Sequence, residues 1–200
     1  MKIIFIRHAE GYHNIGKIRK QFIFFGKPES KNWKIKFPKL TKKGIEQCLE
    51  VKEKILNLNL SIDKIYVSPL TRTLETATTI FEKANNIISI EEIRENVVNP
   101  CDYREPVLVQ KSKFKHIDFS NINDIGNINK TESKSQIDNR CHEFFERLKN
   151  DKKNNNCKII VVVTHGAFLK NFLDIYGSTL DIDDMTFFSN CEIRFGFLNQ

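Results

Sequence analysis

The chain contains three short apolar runs, and each ends at or just before a polar residue suited to binding an anion. The runs lie near the start of the chain, near residue 65 and near residue 160, and the polar residues that follow them are Arg7 with His8, Arg72, and His165. Continuous apolar runs of this length are typical of parallel strands buried on both faces. Ligands bind at the carboxyl ends of strands in an open α/β sheet. The sequence therefore predicts that two imidazoles and two guanidiniums converge there, forming a phosphate site that contains a nucleophile.

The length of 200 residues suits one domain with a substantial core, and we expect a single domain over residues 1–200. Apolar runs alternate with stretches of helical period, which predicts a three-layer α/β/α sandwich with a mostly parallel sheet. Two segments, at about 11–40 and 96–134, lack any sustained period. They are too long for ordinary loops, so we expect two irregular excursions over the carboxyl edge of the sheet.

The secondary-structure elements are predicted from apolar spacing and from capping residues. Thr41 is a good N-cap, so a helix should begin there and run to about residue 58. Further helices are expected over Thr71–Ala84, around 137–148 and over Ala167–Tyr176. Strands are expected at about 2–6, 63–67, 87–90, 158–163 and 187–198. Trp33 is expected to anchor the first excursion by being buried.

Composition narrows the classes of partner. The 32 basic and 25 acidic residues give a net charge of +7, which weakly favours an anionic partner. Nucleic acid is not expected, because residues 17–33 give only a loose mixture of basic and aromatic side chains.

Five scattered cysteines show no metal-binding spacing, which indicates free thiols in a reducing compartment. Without a membrane-spanning run or a signal peptide, we expect a cytoplasmic protein with no membrane partner, whose oligomeric state the sequence leaves open.

His8 is the candidate nucleophile of the predicted site. A neutral imidazole nitrogen can attack phosphorus, and nearby arginines should lower the pKa of His8 and keep its ring neutral. The other ring nitrogen would need a fixed acceptor, commonly a backbone carbonyl, to set the tautomer. The alternative is a histidine that only forms hydrogen bonds at the end of a strand.

The other three strand-end residues are candidates for binding the phosphoryl group. The guanidiniums of Arg7 and Arg72 suit bidentate phosphate binding. A helix that begins at His165-Gly166 would aim its N-terminal amides at the same anion. Gly166 would let the backbone approach the ligand closely, and His165 would add a hydrogen bond. The alternatives are surface charges for the two arginines and a structural turn for His165-Gly166.

Four motifs together resemble one protein family. Arg7-His8-Ala9-Glu10, followed by Asn14, resembles the Arg-His-Gly signature that opens the histidine phosphatase (phosphoglycerate mutase-like) superfamily, with Ala9 in place of the commoner glycine. The remaining motifs resemble its helix start, its second arginine motif and its late histidine motif: Leu40-Thr41-Lys-Lys-Gly44, Ser68-Pro69-Leu70-x-Arg72-x-x-x-Thr76-Ala77 and Thr164-His165-Gly166. Their order and spacing agree with that family across essentially the whole chain.

This resemblance implies a sheet with helices on both faces and a phosphohistidine intermediate on His8. It also implies that Arg7, Arg72 and His165 clamp the phosphoryl group and that Asn14 is an accessory phosphate ligand. No metal and no cofactor is implied. The family's general acid is usually a carboxyl group shortly after the third strand. Glu91, Glu92 and Glu95 compete for that role here, and Glu95 is favoured because Ile93-Arg94-Glu95 resembles the family's apolar-x-Glu pattern.

Several readings remain open at the level of sequence. The leading hypothesis is a phosphomonoesterase acting on a small phosphorylated substrate that the sequence does not identify, and the alternatives are a phosphoglycerate mutase and a non-catalytic phosphoanion-binding module. The stretch Cys101–Arg104, with Phe119-Ser120, resembles a eukaryotic phosphomutase-like branch of the superfamily. Cys101 is expected to be a packed thiol, and His13 and His142 to be structural or surface residues. The basic residues Lys111, Lys113 and Lys115 are either a solvated run or contacts to a polyanionic substrate.

Overall fold

A computed structural model describes residues 1–15, 31–124, 129–182 and 184–199. The strands are β1 (Lys2–Arg7), β2 (Lys64–Val67), β3 (Ile87–Ser89), β4 (Ile159–Thr164) and β5 (Ile193–Phe197). The α-helices are α1 (Lys42–Asn57), α2 (Thr71–Ile80), α3 (Val107–Lys113), α4 (Lys134–Lys153) and α5 (Gly166–Tyr176). Short 3-10 turns cover Tyr12–Asn14, Lys31–Lys34, Glu91–Ile93 and Pro100–Asp102.

The five strands form one sheet in the order β3-β2-β4-β1-β5, and only β5 runs antiparallel to its neighbour. In the register of the central strands, Arg7 pairs with Thr164 and Val67 pairs with Val163. The carboxyl ends of β1, β2 and β4 therefore meet at one edge. This confirms the predicted mostly parallel sheet and brings the three strand ends together.

Both faces of the sheet are covered, as the continuous apolar strands predict. On one face Ile4 and Ile6 pack in a cluster with apolar residues of α1 and α2. On the other face Ile3 and Phe5 pack with aromatic and aliphatic residues of α4 and α5. Alternate residues of β1 thus point into two separate apolar layers, and the predicted α/β/α layering is confirmed.

Some predicted elements differ in extent from the observed ones. The helix from Thr71 ends at Ile80 and not at Ala84, because Phe81 leaves the helical conformation with φ −111° and ψ 41°. The last strand begins at Ile193, because the residues before it are drawn into a loop by contacts that include Arg7 Nη1 to the Phe188 carbonyl, at 2.6 Å. The second excursion contains the helix α3, which its weak period did not reveal.

The first excursion is described only in part, since residues 16–30 lie outside the described residues. The prediction that Trp33 is buried is wrong, because 37% of its surface is exposed. None of the helices in the described ranges is long and apolar enough to cross a membrane.

Candidate active site

His8 lies directly after β1 and is almost completely buried. Its backbone N–H donates to the Thr164 carbonyl at 2.8 Å, which fixes it to the neighbouring strand β4. Its Nδ1 lies 2.8 Å from the Ala9 carbonyl oxygen. A carbonyl can only accept, so Nδ1 carries the hydrogen and Nε2 keeps its lone pair. The nitrogen with a free lone pair is therefore Nε2, which is not bonded to the backbone.

The surroundings of His8 keep its ring neutral. Burial lowers the pKa of His8 well below its ordinary value, and the positive charges of Arg72 and Arg7 lower the pKa further. The hydrogen bond to Ala9 acts in the opposite direction but is the smallest of these influences. An imidazole in this environment has its lone pair available at neutral and mildly acidic pH, as the sequence predicted.

Arg72, in the first turn of α2, points its Nε at this lone pair from 3.3 Å. The guanidinium is buried, and its other nitrogens donate to the Cys101 carbonyl at 2.6 Å and to Asp102 Oδ1 at 3.3 Å. The second carboxylate oxygen of Asp102 accepts the backbone N–H of Asn99 at 3.0 Å and that of Val98 at 3.3 Å. Sequence reasoning did not find Asp102, which holds the orientation of Arg72 across the second excursion.

Arg7 approaches His8 from the end of its own strand. Its Nη1 donates to the Phe188 carbonyl at 2.6 Å, and its guanidinium carbon lies 5.1 Å from the centre of the Phe187 ring. Burial lowers the pKa of Arg7, which the negative charge of Glu95 partly offsets. Its Nε is buried and has no hydrogen-bond partner among the described residues. A buried donor without an acceptor is costly, and an anion in the site would supply the acceptor.

His165 brings a second buried ring nitrogen without a partner. Its ring centre lies 5.1 Å from that of His8, and its Nε2 lies 2.7 Å from Ser68 Oγ at the end of β2. Its Nδ1 is buried and unpaired within the described chain. When Ser68 donates to Nε2, Nδ1 carries a hydrogen that can be given to an anion. Burial and the charge of Arg72 lower the pKa of His165, so this ring is also neutral.

Gly166 begins α5 immediately after His165. A Cβ atom at this position would lie 2.5 Å from Phe187 Cζ and 3.2 Å from Arg7 Nε. A larger residue here would therefore displace the Phe187 ring from its place beside Arg7. The predicted close approach of the backbone to a ligand stays a prediction.

Glu95 lies at the same end of α5. Its Oε1 accepts from the backbone N–H of Phe168 at 3.1 Å, and its Oε2 lies 3.4 Å from that of Ala167. Burial raises the pKa of Glu95, while the charge of Arg72 lowers it and that of Asp102 raises it. The raised pKa favours the protonated form of Glu95 over that of an ordinary carboxyl group, and a proton donor would need that form.

The two competing carboxylates are engaged elsewhere. Glu91 pairs with Arg104 at 2.6 Å and approaches Arg94 at 3.6 Å. Glu92 pairs with Arg147 of α4. Among the three candidates for the acid, Glu95 is the one whose charge is coupled to both Arg7 and Arg72.

A third histidine and two asparagines complete the site. His13 is buried, with its ring centre 5.4 Å from that of His8, so it lies within the site and not on the surface. Asn14 Oδ1 accepts from the backbone N–H of Gly11 at 3.0 Å. Asn190 Nδ2 lies 3.4 Å from that same oxygen and 3.2 Å from the His8 carbonyl. Sequence reasoning missed Asn190 and assigned His13 no place in the site.

The remaining sequence candidates lie in the second excursion and on α4. Lys113 pairs with Glu105 at 2.6 Å, while Lys111 and Lys115 are exposed. Cys101 is buried, and burial raises the pKa of its thiol to about 12, in agreement with a packed thiol. His142 is exposed and bonds to Tyr176.

No cluster of three or more histidine, cysteine or carboxylate side chains that could hold a metal ion occurs in the described parts of the chain.

Replacing Arg72 by alanine should lower kcat for a phosphate ester by roughly 10²- to 10³-fold, the scale for losing one preorganised partner of a developing oxyanion. The reason is that Arg72 Nε lies 3.3 Å from His8 Nε2, the nitrogen of the candidate nucleophile. Steady-state kinetics will measure the loss, with circular dichroism to check folding. Arg147→Ala is the control, because Arg147 pairs with Glu92 away from His8. Full activity in Arg72→Ala would remove this arginine from the site.

The chain is similar over almost its whole length to a known family. The family model described as histidine phosphatase superfamily (branch 1) matches residues 3–194. The chain is also 25% identical, in an alignment spanning 238 residues, to phosphoglycerate mutase-like protein 1 of Arabidopsis thaliana, with 96% of this chain and 79% of that protein covered.

Solved structures of phosphatases share the fold. The ecdysone phosphate phosphatase of Bombix mori, in complex with tungstate, matches with a TM-score of 0.67 and 16% identity over 97% of this chain and 88% of that chain. A mutant phosphoserine phosphatase of Entamoeba histolytica, in complex with phosphoserine, matches with a TM-score of 0.57 and 23% identity, covering 97% of this chain and 89% of that one. At these identities the likeness concerns the fold.

Proposed function

The chain belongs to the histidine phosphatase superfamily, and on that basis we propose that it is a phosphomonoesterase that hydrolyses a small phosphorylated metabolite through a phosphohistidine on His8. The observation that carries the proposal is that two buried nitrogens near a neutral His8, Arg7 Nε and His165 Nδ1, have no hydrogen-bond partner among the described residues. A phosphoryl group bound there would satisfy both donors and meet the lone pair of His8.

The first chemical step transfers the phosphoryl group. His8 Nε2 attacks phosphorus in line with the ester oxygen, the nitrogen–phosphorus bond forms, and the phosphorus–oxygen ester bond breaks. Arg7 Nε, Arg72 Nε and His165 Nδ1 donate to the equatorial oxygens, and Asn14 is an accessory contact. Phosphoryl transfer depends chiefly on such positioning and charge neutralisation. Glu95 gives its proton to the leaving oxygen, which departs as an alcohol.

The second step returns the enzyme to its starting state. The Glu95 carboxylate now takes a proton from water, which attacks the phosphorus of the phosphohistidine. The nitrogen–phosphorus bond breaks, the His8 lone pair is restored, and inorganic phosphate leaves. Each turnover consumes one water molecule and requires no redox partner, metal or cofactor in this mechanism.

Two alternatives fit the same phosphate clamp. A phosphoglycerate mutase would keep the phosphohistidine away from water and return the phosphoryl group to another hydroxyl, and the name of the Arabidopsis relative favours testing for it. A non-catalytic module would bind phosphate and stop there. A neutral nucleophile with a carboxyl group beside it supports catalysis over binding alone.

Phosphate release from p-nitrophenyl phosphate, phosphoserine and 3-phosphoglycerate will test the proposal. We expect net release of inorganic phosphate that continues in excess EDTA, because three protein donors neutralise the equatorial oxygens. Conversion of 3-phosphoglycerate into its 2-isomer without phosphate release would favour the mutase. Tight phosphate binding with no turnover would favour the binding module. Loss of turnover in EDTA, restored by a divalent ion, would contradict metal independence.

The compartment is a further part of the proposal. All five cysteines of the chain are free and buried. Free thiols fit a reducing compartment, which supports placing the enzyme in the cytoplasm.

A further inference from the structure

Large apolar side chains are exposed in the loops around the phosphate clamp. These residues, called the apolar rim below, are Tyr12, Trp33, Val98 and Phe187, with 49%, 37%, 72% and 54% of their surface exposed. Each of them either adjoins a residue near His8 in the sequence or contacts a segment that holds Arg72 or Arg7. Tyr12 precedes the buried His13, Val98 donates its N–H to Asp102, and the turn containing Trp33 packs against Pro100–Asp102.

Phe187 is the residue of this rim that packs at the start of α5. Its ring stacks on the guanidinium of Arg7 and fills the space beside Gly166 that a side chain would need. The next residues of α5 are Ala167 and Phe168, whose backbone N–H groups face Glu95. The exposed ring and the candidate acid therefore both lie against the first turn of α5.

The loop that carries Phe187 is held from several directions. Arg7 donates to the Phe188 carbonyl at 2.6 Å, and Arg194 donates to the Thr186 carbonyl at 2.7 Å. The guanidinium of Arg194 also lies 4.0 Å from the centre of the Phe188 ring. The backbone on both sides of Phe187 is thus fixed, and the exposed ring is a preformed surface for an apolar ligand group.

The charges near the site disfavour an anionic leaving group. Among the described residues, every arginine except Arg7 forms an ion pair with a carboxylate; these are Arg72, Arg94, Arg104, Arg140, Arg147 and Arg194. With Arg7 bound to the phosphoryl group, a carboxylate on the leaving group would find no further unpaired arginine in the described parts of the chain. It would also meet the negative charge of Asp102, which is already felt by Glu95.

We propose that the substrates are phosphate monoesters whose leaving group is uncharged, apolar and ring-containing, with the ring packed against Phe187 in the apolar rim. This inference rests on the phosphatase activity proposed above and names its substrate class. The phosphoryl group occupies the clamp around His8, and the leaving alcohol extends past Glu95 onto the rim.

The test compares 3-phenylpropyl phosphate with propyl phosphate. Both release a primary alcohol of nearly equal basicity, so the ratio of their kcat/KM values reports the contact made by the phenyl group. We expect the wild-type ratio to favour the phenyl compound by roughly tenfold or more, the scale of a good aromatic contact with its buried area. Turnover of 3-phosphoglycerate should be slower than that of either.

Phe187→Ala should lower this ratio by roughly fivefold or more, because the ring loses its stacking partner. Val98→Ser is a second variant, at a highly exposed position where folding is not at risk, and it should lower the ratio less. Phe197→Ala is the matched control, since it removes another exposed phenyl, 40% exposed, from β5 outside the site and should leave both rates unchanged.

The possible results of this test distinguish the proposed substrate class from the phosphatase activity on which it rests. Turnover of both esters at a wild-type ratio near one would overturn the substrate class and leave the phosphatase intact. Equal losses on both esters in Phe187→Ala, with the ratio kept, would assign Phe187 to holding Arg7 and also overturn it. No phosphate release by the wild type from any ester would overturn both proposals together.

Discussion

Replacing His8 by alanine should abolish a covalent phosphoenzyme that the wild-type protein forms during turnover. The prediction follows from the His8 tautomer, in which Nδ1 bonds to the Ala9 carbonyl and Nε2 keeps a lone pair 3.3 Å from Arg72 Nε. Rapid quenching with substrate labelled in its phosphoryl group should trap a label that is stable in base and lost in acid. Such stability distinguishes a phosphorus–nitrogen bond from an ester on a hydroxyl group.

The same experiment has two informative controls. His13→Ala removes a ring whose centre lies 5.4 Å from that of His8, and it should still be labelled because His13 is not the nucleophile. His142→Ala removes an exposed histidine that bonds to Tyr176 on α5, and it should be labelled like the wild type. A labelled His8→Ala protein would end the assignment of His8 as the nucleophile. Label on the wild type that survives acid would point to a different residue type.

The strand ends were predictable because a continuous apolar run leaves few alternatives. A run that stops at Arg7-His8 or at Thr164-His165 has to be a buried strand, and parallel strands bring their carboxyl ends to one edge. The observed register, with Arg7 opposite Thr164, is the direct result. The pairing of His8 Nδ1 with a backbone carbonyl also followed, since a buried neutral imidazole needs one fixed acceptor.

Contacts between distant segments were not predictable in the same way. Asn190 reaches the His8 carbonyl from 182 residues away, and Phe187 was expected in a strand but belongs to the loop tied to Arg7. His13 lies at the start of an excursion without period, so nothing in its spacing indicates that it packs on His8. Such residues can be identified only from the folded structure, in which distant parts of the sequence become neighbours.

The choice of the acid among Glu91, Glu92 and Glu95 also depends on contacts between distant segments. The sequence could only favour Glu95 through a family pattern. In the structure, Glu91 and Glu92 are bound by Arg104 and Arg147, and the second of these pairs joins residues 55 positions apart. Of the three glutamates, Glu95 is thus the one left beside Arg7 and Arg72.

Glu95→Gln should slow the hydrolysis of an alkyl phosphate by roughly 10²- to 10⁴-fold, the range contributed by a general acid. It should slow p-nitrophenyl phosphate much less, because nitrophenolate leaves without a proton. The structural basis is a carboxyl group beside Arg7 and Arg72 whose pKa is raised chiefly by burial. Glu91→Gln and Glu92→Gln are the matched controls, and each should change the rates of hydrolysis of the two substrates by the same factor.

The pH dependence of kcat/KM for the alkyl ester provides a second measurement of the role of Glu95. A raised pKa keeps Glu95 protonated to higher pH than an ordinary carboxyl group, so kcat/KM for the alkyl ester should fall as pH rises through that pKa. The lowered pKa of His8 keeps the nucleophile neutral at the acidic end, so activity should persist well below the ordinary pKa of histidine. In Glu95→Gln the fall on the alkaline side should disappear, because the group that titrates there is gone. If Glu95→Gln slows both substrates equally, or keeps the alkaline fall, another residue supplies the proton.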